Sequence, residues 1–99
     1  MAQFDVYKNP VRPGYLIDCQ SELLDVTDTR VTIPLLAIDE APRRMAYLNP
    51  IFEIVGEPHV LVTQFATAVR LKSLGSPVSS LADRHDDILR AIDVLLGGV

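Results

Sequence analysis

The stretch "PIFEIVGEPHVLVT", residues 50–63, decides the fold. Phe52 and Ile54 alternate with other residues before "GEP", and Val60 and Val62 alternate after it. A period of two sends successive side chains to opposite faces, as in a strand. Two such runs around a glycine-containing break predict a β-hairpin turning at residues 56–58.

Working outward, the same alternation recurs. "TRVTIPLL" (29–36) alternates through Val31, Ile33 and Leu35, and "QFDVYK" (3–8) through Phe4 and Val6. "YLIDCQ" (15–20) puts Ile17 and Cys19 on one face, and "ATAVRL" (66–71) adds a further short strand. Pro34 has no N–H for a ladder, so it is expected at a sheet edge or a bulge. "NPVRPG" (9–14) reads as a turn, and "SELLDVTD" (21–28) as a loop or bulge. "AIDEAPRRMAY" (37–47) reads as a connection with one helical turn, and "GSPVSS" (75–80) as a loop.

The closing stretch, "DDILRAIDVLLGGV" (86–99), changes period. Ile88, Ala91, Ile92, Leu95 and Leu96 recur at the spacing of one helix face, and Asp86, Asp87, Arg90 and Asp93 take the other. Ser80 or Asp83 is expected to cap the start, and Asp86 and Asp87 to reach Arg90. Gly97 is expected to cap the end, because it adopts a left-handed conformation without a Cβ clash. Short antiparallel strands followed by one helix predict a small, mainly β barrel with a C-terminal α-helix packed on it.

The 99 residues suit a single domain, 1–99, and two domains would each be too small for a core. The net charge of −4 argues against direct nucleic-acid binding by the chain alone, since a phosphate-gripping surface is basic. The one cysteine, Cys19, forms no internal disulfide and reads as a buried, inert thiol. No basic-then-apolar leader and no membrane-length apolar run is present, so the expectation is a cytoplasmic protein without a membrane partner.

Catalytic and metal-ligating patterns are weak. His59 and His85 lack a partner at ligand spacing, and neither "GSP" nor "LGGV" has the lysine and spacing of a phosphate loop. The scattered carboxylates form no local acid–base motif. The residues alone lead to a barrel domain with neither cofactor nor metal and with no catalytic site in view.

Five stretches carry a resemblance. "QFDVYKN" at the start, "DCQSELLD" (18–25), "VTIPL" (31–35), "SLADRHDDI" (80–88) and "AIDVLLGGV" occur in the order found in CcdB toxins. The chain resembles that family over nearly its whole length. The resemblance implies a homodimeric SH3-like barrel of the CcdB/MazF type. It implies a non-enzymatic poison that binds the DNA gyrase A subunit and traps its cleaved-DNA complex. It also implies neutralisation by a CcdA-type antitoxin.

The family's target-contacting positions map onto Gln3, Phe4 and Tyr7 in the first strand and Ser21 in the following loop. Leu23 and Leu24 stand where the family has isoleucines, and Asp93 where it has asparagine. Gly97, Gly98 and Val99 stand where well-known members end Trp-Gly-Ile. Two alternatives stay open. One is a MazF-like endoribonuclease using Arg70, His59 and Arg43. The other is a degenerate toxin that retains only antitoxin binding.

Overall fold

A computed structural model describes residues 2–24 and 26–97. Among these residues there are seven strands: β1 (Asp5–Lys8), β2 (Tyr15–Asp18), β3 (Thr29–Ala37), β4 (Ile51–Ile54), β5 (Glu57–Leu61), β6 (Thr67–Arg70) and β7 (Ser79–Ser80). A single α-helix, α1 (His85–Gly97), closes the described chain. The sheet order is β4-β5-β3-β2-β1-β7, with β6 also paired to β3, and every pairing is antiparallel. This is the predicted small barrel with one C-terminal helix.

The β4–β5 hairpin turns one residue earlier than predicted. Its central residues are Val55 and Gly56, with φ of 51° and 81°, and Ile54 pairs with Glu57 across the turn. Two left-handed residues match the twist of the flanking strands. Pro58 therefore sits inside β5, opposite Glu53.

Pro34 is at neither an outer edge nor a bulge. It lies within β3, opposite Leu16 of β2. The other side of β3 pairs with β6 up to Thr32 and with β5 from Leu35. Pro34 falls in the gap where the partner changes, and its carbonyl accepts from the Val62 amide at 2.9 Å. A residue without an N–H costs no ladder bond at that junction.

The β1–β2 connection ends on Gly14, with φ of 106°. A Cβ there would meet the Leu35 carbonyl oxygen at 2.5 Å, so the backbone passes where only glycine fits.

The core gathers the inward faces of the strands: Phe4, Val6, Ile17, Ile33, Leu35, Phe52, Ile54 and Leu61. The helix adds Ile88 and Ala91, with Ile92 packed at the margin. Leu95 and Leu96, on the same predicted stripe, are exposed, so the helix runs past the core that anchors it. A smaller cluster of Leu36, Val60 and Val62 lies apart, with Ala41 against it.

The ends of the helix also differ from the reading of the sequence. Ser80 Oγ accepts from the Ala82 amide at 3.2 Å and so supports the short 3-10 turn at Ala82–Arg84 that precedes α1. That turn carries no side-chain cap from Asp83. Asp87 pairs with Arg84 at 2.8 Å, while the Arg90 guanidinium lies over the Tyr47 ring at 4.0 Å. Gly97 is itself still helical.

Candidate functional site

The N-terminal strand and the loop after β2 are joined by side chains. The Gln3 amide nitrogen of the side chain donates to the Cys19 carbonyl at 3.0 Å. The Gln3 backbone amide donates to Glu22 Oε1 at 3.3 Å. Gln3 is thereby fixed beside the 3-10 turn Glu22–Leu24. Ser21 Oγ accepts from the Leu23 amide at 3.2 Å and shapes that turn. Leu23 is 92% exposed and Leu24 52%, so neither belongs to the core. Two leucines on an ordered turn form an apolar projection that a partner can cover.

Phe4 is different. It is buried, its φ is 70°, and its ring stacks on His85 at 6.5 Å between centroids. It braces the first turn of α1 against the barrel. Tyr7 is also inside, at 1% exposure, and its hydroxyl has no partner among the described residues. Burial pushes the Tyr7 phenol above its ordinary pKa, Asp5 and Asp18 push it further, and Arg30 opposes them.

The other expected contacts lie on the far end of α1. Asp93 and Gly97 are exposed, as are Leu95 and Leu96. No hydrogen bond, ion pair or ring contact among the described residues joins Asp93 or Gly97 to the 21–24 turn. The structure thus brings Gln3 to the Ser21–Leu24 turn, buries Phe4 and Tyr7, and leaves Asp93 and Gly97 as a separate element. Gly98 and Val99 lie outside the described residues.

The sequence reading missed what holds the loop. Arg30 and Asp18 form a fully buried ion pair, with Nη2 to Oδ2 at 2.8 Å and Nε to Oδ2 at 3.0 Å. Asp18 Oδ1 accepts from the Gln20 amide at 3.0 Å. The Gln20 side chain then donates to the Leu24 carbonyl at 3.1 Å and to Thr27 Oγ1 at 2.7 Å, and accepts from the Val31 amide at 3.1 Å. A buried charge pair is therefore wired through Gln20 to the turn that displays Leu23 and Leu24. The one available signal was "LIDCQ", which puts an aspartate inside an otherwise apolar strand.

Catalytic alternatives do not assemble. His59 is buried, edge-on to Tyr15 at 5.1 Å, with Nδ1 2.9 Å from the Glu57 carbonyl. It pairs across from Ala37, whereas Arg70 pairs across from Thr29 at the other end of β3. Eight residues of strand separate those positions, about 26 Å at the usual rise. Among the described residues no group of His, Cys, Asp and Glu could hold a metal ion. No helix among them is long and apolar enough to cross a membrane. Cys19 is half-buried, and burial followed by the charge of Asp18 pushes its thiol up to about 12.

A family model described as CcdB protein matches residues 3–98, nearly the whole sequence. The chain belongs to the CcdB family.

Proposed function

We propose that this chain is the toxin of a toxin–antitoxin pair, acting as a non-enzymatic poison of DNA gyrase that binds the A subunit and is neutralised by a CcdA-type antitoxin. The observation that carries the reading is the pair of apolar projections the core does not use. One is Leu23 and Leu24 on their braced turn. The other is the end of α1, where Leu96 is 79% exposed. Membership of the CcdB family supports the toxin class, and gyrase as the target is what the resemblance to that family implies.

In this reading the toxin acts as a homodimer. Among the described residues no hydrogen bond, ion pair or ring contact joins Asp93 or Gly97 to the 21–24 turn, and a two-fold axis lets one surface combine elements of both copies. The acidic balance of −4 agrees with a protein rather than a nucleic acid as the direct contact.

The test incubates purified protein with gyrase, supercoiled DNA and ATP and looks for trapped double-strand breaks. Gly97→Trp and a chain truncated after Leu96 run beside it. Breaks with the wild type that vanish on truncation support the reading and place the poison at the C-terminus. Breaks only with Gly97→Trp favour the degenerate toxin, because Gly97 offers no side chain on an exposed helix end. No breaks with any variant rule out gyrase as the target.

A further inference from the structure

A cavity of about 560 Å³ lies between the N-terminal stretch with β1 and the segment 71–77, and none of residues 21–24 is among those that line it. Ala2, Asp5 and Tyr7 line one side, and Leu71, Leu74 and Pro77 are among the residues lining the other. Two polar groups in it have unused capacity. Tyr7 is almost wholly buried, and its hydroxyl has no hydrogen-bond partner among the described residues. Buried polar groups are normally paired, so the orphan hydroxyl of a residue that lines the cavity is unused hydrogen-bonding capacity beside it. Asp5 accepts one bond through Oδ2, from the Ala2 amide at 3.3 Å, and makes no ion pair among the described residues. The nearby cation, Arg30, is held by Asp18.

We propose that this cavity binds an aliphatic primary ammonium group, either the side chain of a partner's lysine or a free alkyl diamine. The carboxylate selects a cation and repels an anion. The ammonium has three donors, and Asp5 and the Tyr7 oxygen supply acceptors. A charge-assisted bond to a carboxylate is the strongest available to it. Leu71, Leu74 and Pro77 suit the methylene stem, which packs on apolar surface while the head is bonded. A guanidinium fits less well, because its planar fork favours two parallel acceptors on one carboxylate, and Asp5 already uses Oδ2. The raised pKa of Tyr7 keeps its hydroxyl neutral at pH 7, with its lone pairs available. The inference does not depend on gyrase being the target.

Amide NMR of the full chain at pH 7 tests it, with n-pentylamine as probe and 1-pentanol as the neutral control of equal length. The expected result is saturable shifts centred on Asp5, Tyr7, Leu71 and Leu74, at least about ten-fold weaker for the alcohol. Asp5→Asn should weaken amine binding about ten-fold, and Tyr7→Phe about three-fold, with the melting temperature of Tyr7→Phe unchanged or higher. If Asp5→Asn fails to fold, salt replaces it: amine affinity must fall from 0.05 to 0.5 M salt (order-of-magnitude conditions, about a three-fold change in screening length) while alcohol affinity holds. Shifts located elsewhere, equal binding of the alcohol, or binding indifferent to both Asp5→Asn and salt overturns the proposal. Parallel titrations with cadaverine and with a capped Gly-Lys-Gly peptide against its norleucine analogue separate the sources. A response to the lysine peptide alone assigns the site to a protein partner, and a response to cadaverine alone assigns it to a free diamine.

Discussion

Asp18 and Arg30 meet at 2.8 Å with both side chains fully buried, and the contact locks the end of β2 to the start of β3. Removing Arg30 leaves the Asp18 carboxylate charged and desolvated, which costs about 3–5 kcal/mol. Arg30→Met should therefore lower stability by about that amount in urea unfolding. Adding Asp18→Asn to Arg30→Met should recover a large part of it, since the second change removes the buried charge. A double variant no better than Arg30→Met alone would show that packing rather than charge dominates.

Gln20 passes this rigidity to the display turn through its bonds to the Leu24 carbonyl and Thr27 Oγ1. Gln20→Ala should free that turn at a stability cost of about 1–3 kcal/mol. Amide exchange should speed up at Leu23 to Thr27 more than in β3. Uniform acceleration across the barrel would contradict a local role.

Leu23 and Leu96 are exposed, so replacing them tests function apart from folding. Leu23→Asp and Leu96→Asp should each leave stability within about 0.5 kcal/mol of wild type. On the proposed function, each should weaken target binding about ten- to a hundred-fold, as an apolar anchor does when truncated or charged. Calorimetric titration against the gyrase A subunit, beside thermal unfolding, separates the two effects.

Gly14→Ala should be among the most damaging small substitutions. Its Cβ would sit 2.5 Å from the Leu35 carbonyl, at a φ of 106°. The chain must shift or lose the β2–β3 register nearby. We expect a loss of about 2–4 kcal/mol. Gly56→Ala offers a contrast: nothing lies within 4 Å of its Cβ, so only the φ of 81° is at stake. Its cost should be nearer about 1 kcal/mol.

Alkaline pH should destabilise the protein. Cys19 is raised from 9.0 to about 12, and Tyr7 is raised above 10.0. In both cases the folded state holds a proton that the unfolded chain gives up first. The stabilisation is complete below pH 9 and is lost as pH climbs towards 12, with a slope of at most about 1.4 kcal/mol per pH unit from each group. Denaturant midpoints from pH 8 to 11 should fall, and Cys19→Ala should flatten the first part of the fall. Iodoacetamide should label Cys19 slowly at pH 8 in the folded protein and rapidly in urea.

The sequence by itself determined the elements and the faces that make the core. Period-two alternation picked out the strands around Phe4, Ile33, Phe52 and Val60, and the three- and four-residue spacing picked out α1 through Ile88 and Ala91. Those periods follow from local backbone geometry, so they are written in adjacent residues. Only the tertiary structure decided what covers each element's second face. Tyr7 lies on the opposite face of β1 from the core residue Val6 and yet is buried as well. Pro34 is tolerated in a central strand because β5 and β6 divide one side of β3 between them. Arg30, twelve residues from Asp18, becomes an interior cation only when β2 and β3 pair. Leu95 and Leu96 share the stripe of Ile88 but stay in solvent, because the barrel ends before the helix does. Burial on a second face and pairing of charges are long-range outcomes, set by which segments meet, and no local period encodes them.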